Sequence, residues 1–231
     1  MRIRQLLFFG LLSPVIFWIT TIVCGLLLEY YNHFTGLVSE LGALGTKTQY
    51  VFTIGLVLSS ILNVFFVIGL YTFCKMKQLN VIPVIFLLFY SFLAGPAIFP
   101  MPLRLHSIIG LPFPLIMLAP VTGIIFWRNR EHLLKIRVVA IISFLIMMLG
   151  FFIYFPDILN EYFGLKQRFL YAGWTVWSIY LSYRFLQLSR KSANARLFAI
   201  VHEKSSMPEA KRAGKGKKYK SQSGLAKQKM K

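Results

Sequence analysis

Six stretches of this 231-residue chain run for about twenty residues almost without an ionisable side chain. They are Leu6–Leu28, Tyr50–Phe73, Val81–Phe99, Ser107–Trp127, Val138–Phe155 and Phe169–Leu188. A helix of about 20 residues is about 30 Å long, the thickness of a bilayer's hydrocarbon core. A surface helix of a soluble protein needs a charged face, and these runs have none. A chain of this size could not bury all of them, because too much of a small protein is surface. Only 14% of the residues are charged, against about 25% in an ordinary soluble domain. A soluble globular enzyme is therefore excluded. An outer-membrane barrel is disfavoured, since the runs are continuous and do not alternate. The expected fold class is all-α: a polytopic membrane bundle of six transmembrane helices. Arg2 and Arg4 before the first run resemble the start of a signal peptide. The run is long for one and no small-residue cleavage site follows, so it reads as an uncleaved anchor.

Charge sets the expected orientation. One side of the predicted bundle holds Arg2, Arg4, Lys75, Lys77, Arg128, Arg130, Lys135, Arg137 and the C-terminal tail. The other holds only Lys47, Arg104, Lys166 and Arg168. Positive loops stay cytoplasmic, so both termini are expected inside, with residues 29–49, 100–106 and 156–168 outside. Arg184, near the end of the sixth run, can snorkel to the headgroups. The net charge is +19, and more than half of it lies in residues 190–231, with 13 basic and 2 acidic side chains. Two segments follow: residues 1–188 as the transmembrane domain, and 189–231 as a basic cytoplasmic tail, mostly disordered. Within the tail, Ser189–His202 has the apolar content for a short interfacial helix, and residues 203–231 have too little to order themselves. Membrane lipid is the expected partner, and the tail suits anionic lipid in particular. Nucleic acid is disfavoured, because no aromatic side chains interleave with the lysines for base stacking.

The predicted outer loops carry the chemistry. The first contains Ser39-Glu40-Leu41-Gly42, where a carboxylate sits beside apolar neighbours. By itself that reads as a turn whose Ser39 caps a short helix and whose Glu40 meets water. The second, Phe99–His106, lies in a region with seven of the ten prolines, from Pro83 to Pro120. Proline deletes a helix hydrogen bond, so the third and fourth runs should be kinked or broken around residues 95–114. His106 opens the fourth run and reads as an interfacial anchor or as a proton-exchanging group. The third loop offers Asp157, Glu161, Lys166 and Arg168. Its aromatics suit the membrane interface, but its two cations work against an outer placement. Cys24 and Cys74 fall at opposite faces and read as packing thiols. His33 and His106 with Glu40 could in principle hold a metal, but the spacing does not favour it. No metal or other cofactor is expected.

Taken in order, these segments resemble the uncharacterised six-helix membrane family known as domain of unknown function 998. The resemblance rests on Ser39-Glu40-Leu41-Gly42, on Phe99-Pro100 followed by His106, and on Gly164-Leu165 with Gln167-Arg168, and it covers about residues 6–188. The acidic residue expected soon after the Phe-Pro pair is missing here. The resemblance implies the six-helix fold and promotes the three segments to one candidate outward-facing polar site. In it, Glu40 and His106 are the candidate catalytic acid/base groups, and Ser39, Gly42, Arg104, Gln167 and Arg168 are candidate substrate-binding residues. Acid, imidazole and guanidinium together could hold an anionic headgroup and move a proton. The leading reading is action on a lipid or lipid-linked substrate. A non-enzymatic scaffold or assembly protein is the alternative. A small transporter ranks lower, because no charged residue lies at the predicted midplane. Glu40, His106 and Arg168 are expected to meet in one pocket.

Overall fold

The computed structural model describes residues 2–128, 133, 135–155 and 157–206, with side chains through Lys191. The sequence predicts a solvated tail from residue 203; Glu203–Ser206 instead continue the last helix, and the segment from residue 207 lies outside the described residues. The chain divides into two units after Gln187. The second unit is helical from Leu188 to Ser206. The first holds everything else described below.

Among the described residues the structure is all-helical, in six stretches. We label them α1 (Ile3–Leu27), α2 (Gln49–Met76), α3 (Ile82–Ile98), α4 (Arg104–Trp127), α5 (Ile136–Tyr154) and α6 (Phe163–Ser206). Each contains most of one apolar run. Four of them, α1, α2, α4 and α5, are long and apolar enough to cross a membrane. α3 is a shorter apolar helix. α6 has its apolar content diluted by buried Tyr171, Trp174, Trp177, Ser178 and Ser182.

Proline accounts for the irregularity of α4 and for the end of α3. α3 tightens to 3-10 turns over Phe86–Leu93, just before Pro96 removes an N–H donor. α4 is α-helical over Arg104–Gly110 and passes through Leu111 and Pro112. It continues as 3-10 turns from Phe113 to Met117 and as α-helix from Leu118. With their N–H groups missing, Pro112 and Pro114 cannot continue the regular ladder. The irregularity expected around residues 95–114 is present between α3 and α4 and at Leu111–Met117, and both places border the site described below; the 3-10 stretch of α3 lies ahead of that range.

The helices are held by aromatic packing and by small hydroxyl contacts. Tyr90 on α3 stacks on Trp174 on α6, ring centroids 3.5 Å apart. Phe17 on α1 packs against Tyr171 at 4.5 Å, and Phe113 on α4 reaches the same tyrosine at 5.2 Å. Ser13 on α1 and Ser59 on α2 each donate to the other's carbonyl oxygen at 2.8 Å. Asn63 donates to Leu87 O at 2.9 Å and to Ser91 Oγ at 3.1 Å. Asn63, the most polar residue of the second run, thus ties α2 to α3. Such interhelical bonds suit a medium without water, where an unpaired amide would be costly.

Candidate functional site

The site lies at the end of the bundle where three connections meet: residues 28–48, residues 99–103 and residues 155–162. Backbone pairing joins them. Leu44 N–H donates to Met101 O at 2.8 Å, Gly164 N–H to Thr35 O at 3.2 Å, and Leu165 N–H to Phe34 O at 2.8 Å. The start of α6 is therefore pinned under the first loop.

Arg168 completes that attachment. One terminal nitrogen donates to Gly36 O and Gly164 O, both at 3.0 Å. The other donates to Tyr31 Oη at 2.8 Å and His33 Nδ1 at 2.9 Å. A guanidinium can only donate, so His33 Nδ1 accepts. Tyr31 turns its own hydroxyl toward Gly36 O and Leu37 O, at 3.0 and 2.9 Å. Burial pushes the Tyr31 phenol above its ordinary value, against the opposing pull of Arg168. Burial first, and then the Arg168 charge, push His33 below its ordinary 6.5. Gly164 is required here. A Cβ at that position would run into Gly36 O, with His33 O 2.8 Å away. Only glycine lets the loop backbone lie directly on the helix start.

Lys166 is fully buried. Its ammonium donates to Phe155 O at 3.3 Å and lies 4.6 Å from the centre of the Phe163 ring. Phe155 closes the last turn of α5, where carbonyl oxygens lack helical partners and a cation is favoured. The two cations that fit an outer loop poorly thus have structural partners: Lys166 caps α5 and Arg168 clamps the first loop.

The Ser39-Glu40-Leu41-Gly42 segment forms a 3-10 turn over Val38–Gly42. Glu40 is exposed, and its carboxylate accepts from Leu37 N–H at 3.1 Å, capping the turn's start. A Cβ on Gly42 would strike the Phe52 ring, so the glycine seats the turn against α2. Val38 N–H donates to Gln167 Oε1 at 2.6 Å. This bond fixes the amide orientation, so the NH₂ does the donating, with one hydrogen toward the Tyr171 hydroxyl and one left over.

His106 is held by Nδ1, which lies 3.0 Å from Pro96 O and 3.1 Å from Phe99 O. Carbonyls only accept, so Nδ1 carries the proton. In the neutral ring the lone pair is then on Nε2. The break in the chain at Phe99–Leu103 exposes these carbonyls, and this is how the prolines position the imidazole.

Between these parts lies a cavity of about 350 Å³. Its walls are mostly apolar, with Leu56, Leu93, Phe113 and Tyr171 among them. Its polar lining includes Ser39, His106, Ser107, Tyr154 and Gln167. One residue from each of the three segments, Ser39, His106 and Gln167, therefore reaches the same space. Of the three side chains expected to converge, His106 alone lines it. Arg168 follows Gln167 on α6, and successive helical residues are turned about 100° apart, so it serves the loop instead. Arg104 and Gly42 are not in the lining either, and Arg104 is exposed. Among the described residues the one ion pair is Lys47–Glu29, at 3.5 Å and largely exposed. No group of three or more His, Cys, Asp or Glu side chains that could hold a metal is present among them. Sequence reasoning missed Tyr31 and His33 as partners of Arg168. They lie more than 130 positions away, and no local pattern announces such a contact.

The family model described as a protein of unknown function, DUF998, matches residues 11–184, and the chain belongs to that family. No curated protein and no solved structure matches it.

Proposed function

We propose that this is a six-span integral membrane protein with both termini cytoplasmic, and that its outward-facing cavity binds a lipid or lipid-linked substrate. One observation supports the binding reading above the others. Three segments far apart in the chain each contribute a polar side chain, Ser39, His106 and Gln167, to a single apolar-walled cavity. Ligand sites have this composition: apolar walls with a few converging polar groups. In this reading His106 is the group able to exchange a proton with the ligand, and Ser39 and Gln167 orient it. Glu40 and Arg168 act one step back, by shaping the loop that carries Ser39. The tail's excess of lysine and arginine suits the anionic inner leaflet.

The test is lipid retention. Native mass spectrometry of the purified protein should show a bound lipid that survives mild activation. Gly110 lines the cavity, and a Cβ there meets only the edge of the Pro96 ring, at 3.2 Å. Gly110→Leu should therefore fill the space and remove the bound lipid while the protein still folds. Equal retention in the native protein and in a folded Gly110→Leu protein would overturn the reading.

A further inference from the structure

The polar lining of the cavity has a definite charge character. No Asp, Glu, Lys or Arg contributes to it. The cations nearest in sequence are already engaged elsewhere. Both terminal nitrogens of Arg168 are hydrogen-bonded to the first loop, and Lys166 is buried against Phe155 O and the Phe163 ring. An anionic or cationic headgroup would enter without a counter-charge, and burying an unpaired ion is strongly unfavourable. The groups that are available come as a complementary set. His106 has given Nδ1 to the Pro96 and Phe99 carbonyls, so Nε2 is its remaining acceptor. Gln167 has given Oε1 to Val38 N–H and directs one amide hydrogen at the Tyr171 hydroxyl, so the second hydrogen of its NH₂ is the remaining donor. One acceptor and one donor in the same cavity match a hydroxyl, which donates once and accepts at least once, and the Ser39, Ser107 and Tyr154 hydroxyls that share the lining are uncharged as well. A phosphate or carboxylate offers His106 no proton, and a hydrocarbon satisfies neither group.

From this we propose that the ligand is an uncharged amphiphile carrying a free hydroxyl, as in a long-chain alcohol or an acylglycerol. The hydroxyl donates to His106 Nε2 and accepts from the Gln167 amide, and the chain occupies the apolar walls. The inference rests on the cavity-binding reading above and narrows it from lipids at large to neutral hydroxylated ones. It also removes Arg168 from headgroup binding and assigns that part to His106 and Gln167.

Photocrosslinking on the full chain in nanodiscs tests it. The probe is a long-chain alcohol with a diazirine in its chain. The competitors share that chain length and end in a hydroxyl, a phosphate monoester or a methyl group. The expected result is labelling of the segments that contain Ser39, His106 and Gln167. The alcohol should displace the probe at least about tenfold better than the phosphate, because the lining holds no cation to offset an anion's desolvation. The informative variant is His106→Asn, whose amide can still donate to the Pro96 and Phe99 carbonyls but does not reach as far as Nε2. It should weaken competition by the alcohol about fivefold, the scale of one neutral hydrogen bond, and leave the hydrocarbon unchanged. Gln167→Met should do the same if the asparagine variant does not fold. If the phosphate competes as well as the alcohol, the neutral class is wrong and cavity binding stands. If alcohol and hydrocarbon compete equally, or the variants weaken both alike, hydroxyl recognition is wrong. If the probe labels none of these segments, this proposal and the cavity-binding reading fall together.

Discussion

Two polar side chains at the same end of the bundle are treated in opposite ways. Arg168 is engaged at both ends of its fork: both terminal nitrogens reach protein acceptors, two carbonyls, a phenol and an imidazole. His106 is half-satisfied: one nitrogen is bound to carbonyls, and the other faces no protein partner among the described residues. A half-buried charge with both terminal nitrogens engaged holds a structure together and has little left for a ligand. A neutral ring fixed by one nitrogen is oriented and still has an atom to offer. The difference separates the residues that hold the site from the residues that can act in it. Residue type alone would have ranked the arginine first.

The contrast can be broken most severely at the clamp. Arg168→Leu leaves two backbone carbonyls and a phenol without their charged donor, and should cost about 3 kcal/mol of stability. The thermal midpoint in detergent measures it. Arg168→Lys should recover little, because a point ammonium cannot bridge four acceptors in the guanidinium's fork geometry. If Arg168→Leu is as stable as the native protein, the clamp is not structural and the arginine returns to the list of ligand-binding groups.

Gly164→Ala attacks the same attachment from the backbone. The added methyl meets Gly36 O and His33 O, and overpacking of this kind costs about 1–3 kcal/mol. Limited proteolysis should then cut within residues 29–37 faster than in the native protein. On the other side of the contrast, His106→Phe loses only the Nδ1 bonds and should cost about 1 kcal/mol, well below Arg168→Leu. A larger loss at His106 than at Arg168, in the same denaturation assay, would reverse the division of labour.

The gentlest probe is pH. His33 is held below its ordinary 6.5 by burial and by Arg168. Above 6.5 it is neutral both folded and unfolded, and the clamp is intact. As the pH falls below 6.5 the unfolded chain takes up the proton first, so stability declines. Protonated His33 cannot accept from Arg168 and repels it. The thermal midpoint should therefore drop between pH 7 and pH 5. His33→Gln, which keeps an acceptor and does not titrate, should flatten that part of the profile.

Much of the fold was legible because its determinants are local. An apolar run of about 20 residues fixes a helix wherever it lies, and the cluster from Pro96 to Pro114 marks where the ladder must break. The turn at Ser39–Gly42 was readable as a turn, but its cap was not: the sequence points to Ser39, and the structure uses Glu40, whose carboxylate takes the Leu37 N–H three residues back. The site was legible by segment and not by side chain. That Gln167 faces the cavity while Arg168 faces the loop is a matter of 100° on one helix, decided by where α6 rests.

By itself, then, the sequence determined the helical class, the apolar stretches, the breaks in α3 and α4, and which three segments carry polar chemistry. Those properties follow from hydropathy, proline and short-range capping, which act within a few residues. The tertiary structure alone decided which polar atoms are used up and which are left. Whether Arg168 grips a ligand or a loop depends on Tyr31 and His33, more than 130 residues away. Whether His106 offers an acceptor depends on two carbonyls that a broken helix turns toward it. Hydrogen-bond saturation belongs to the packed assembly, because each donor's partner is set by which distant backbone comes to rest beside it.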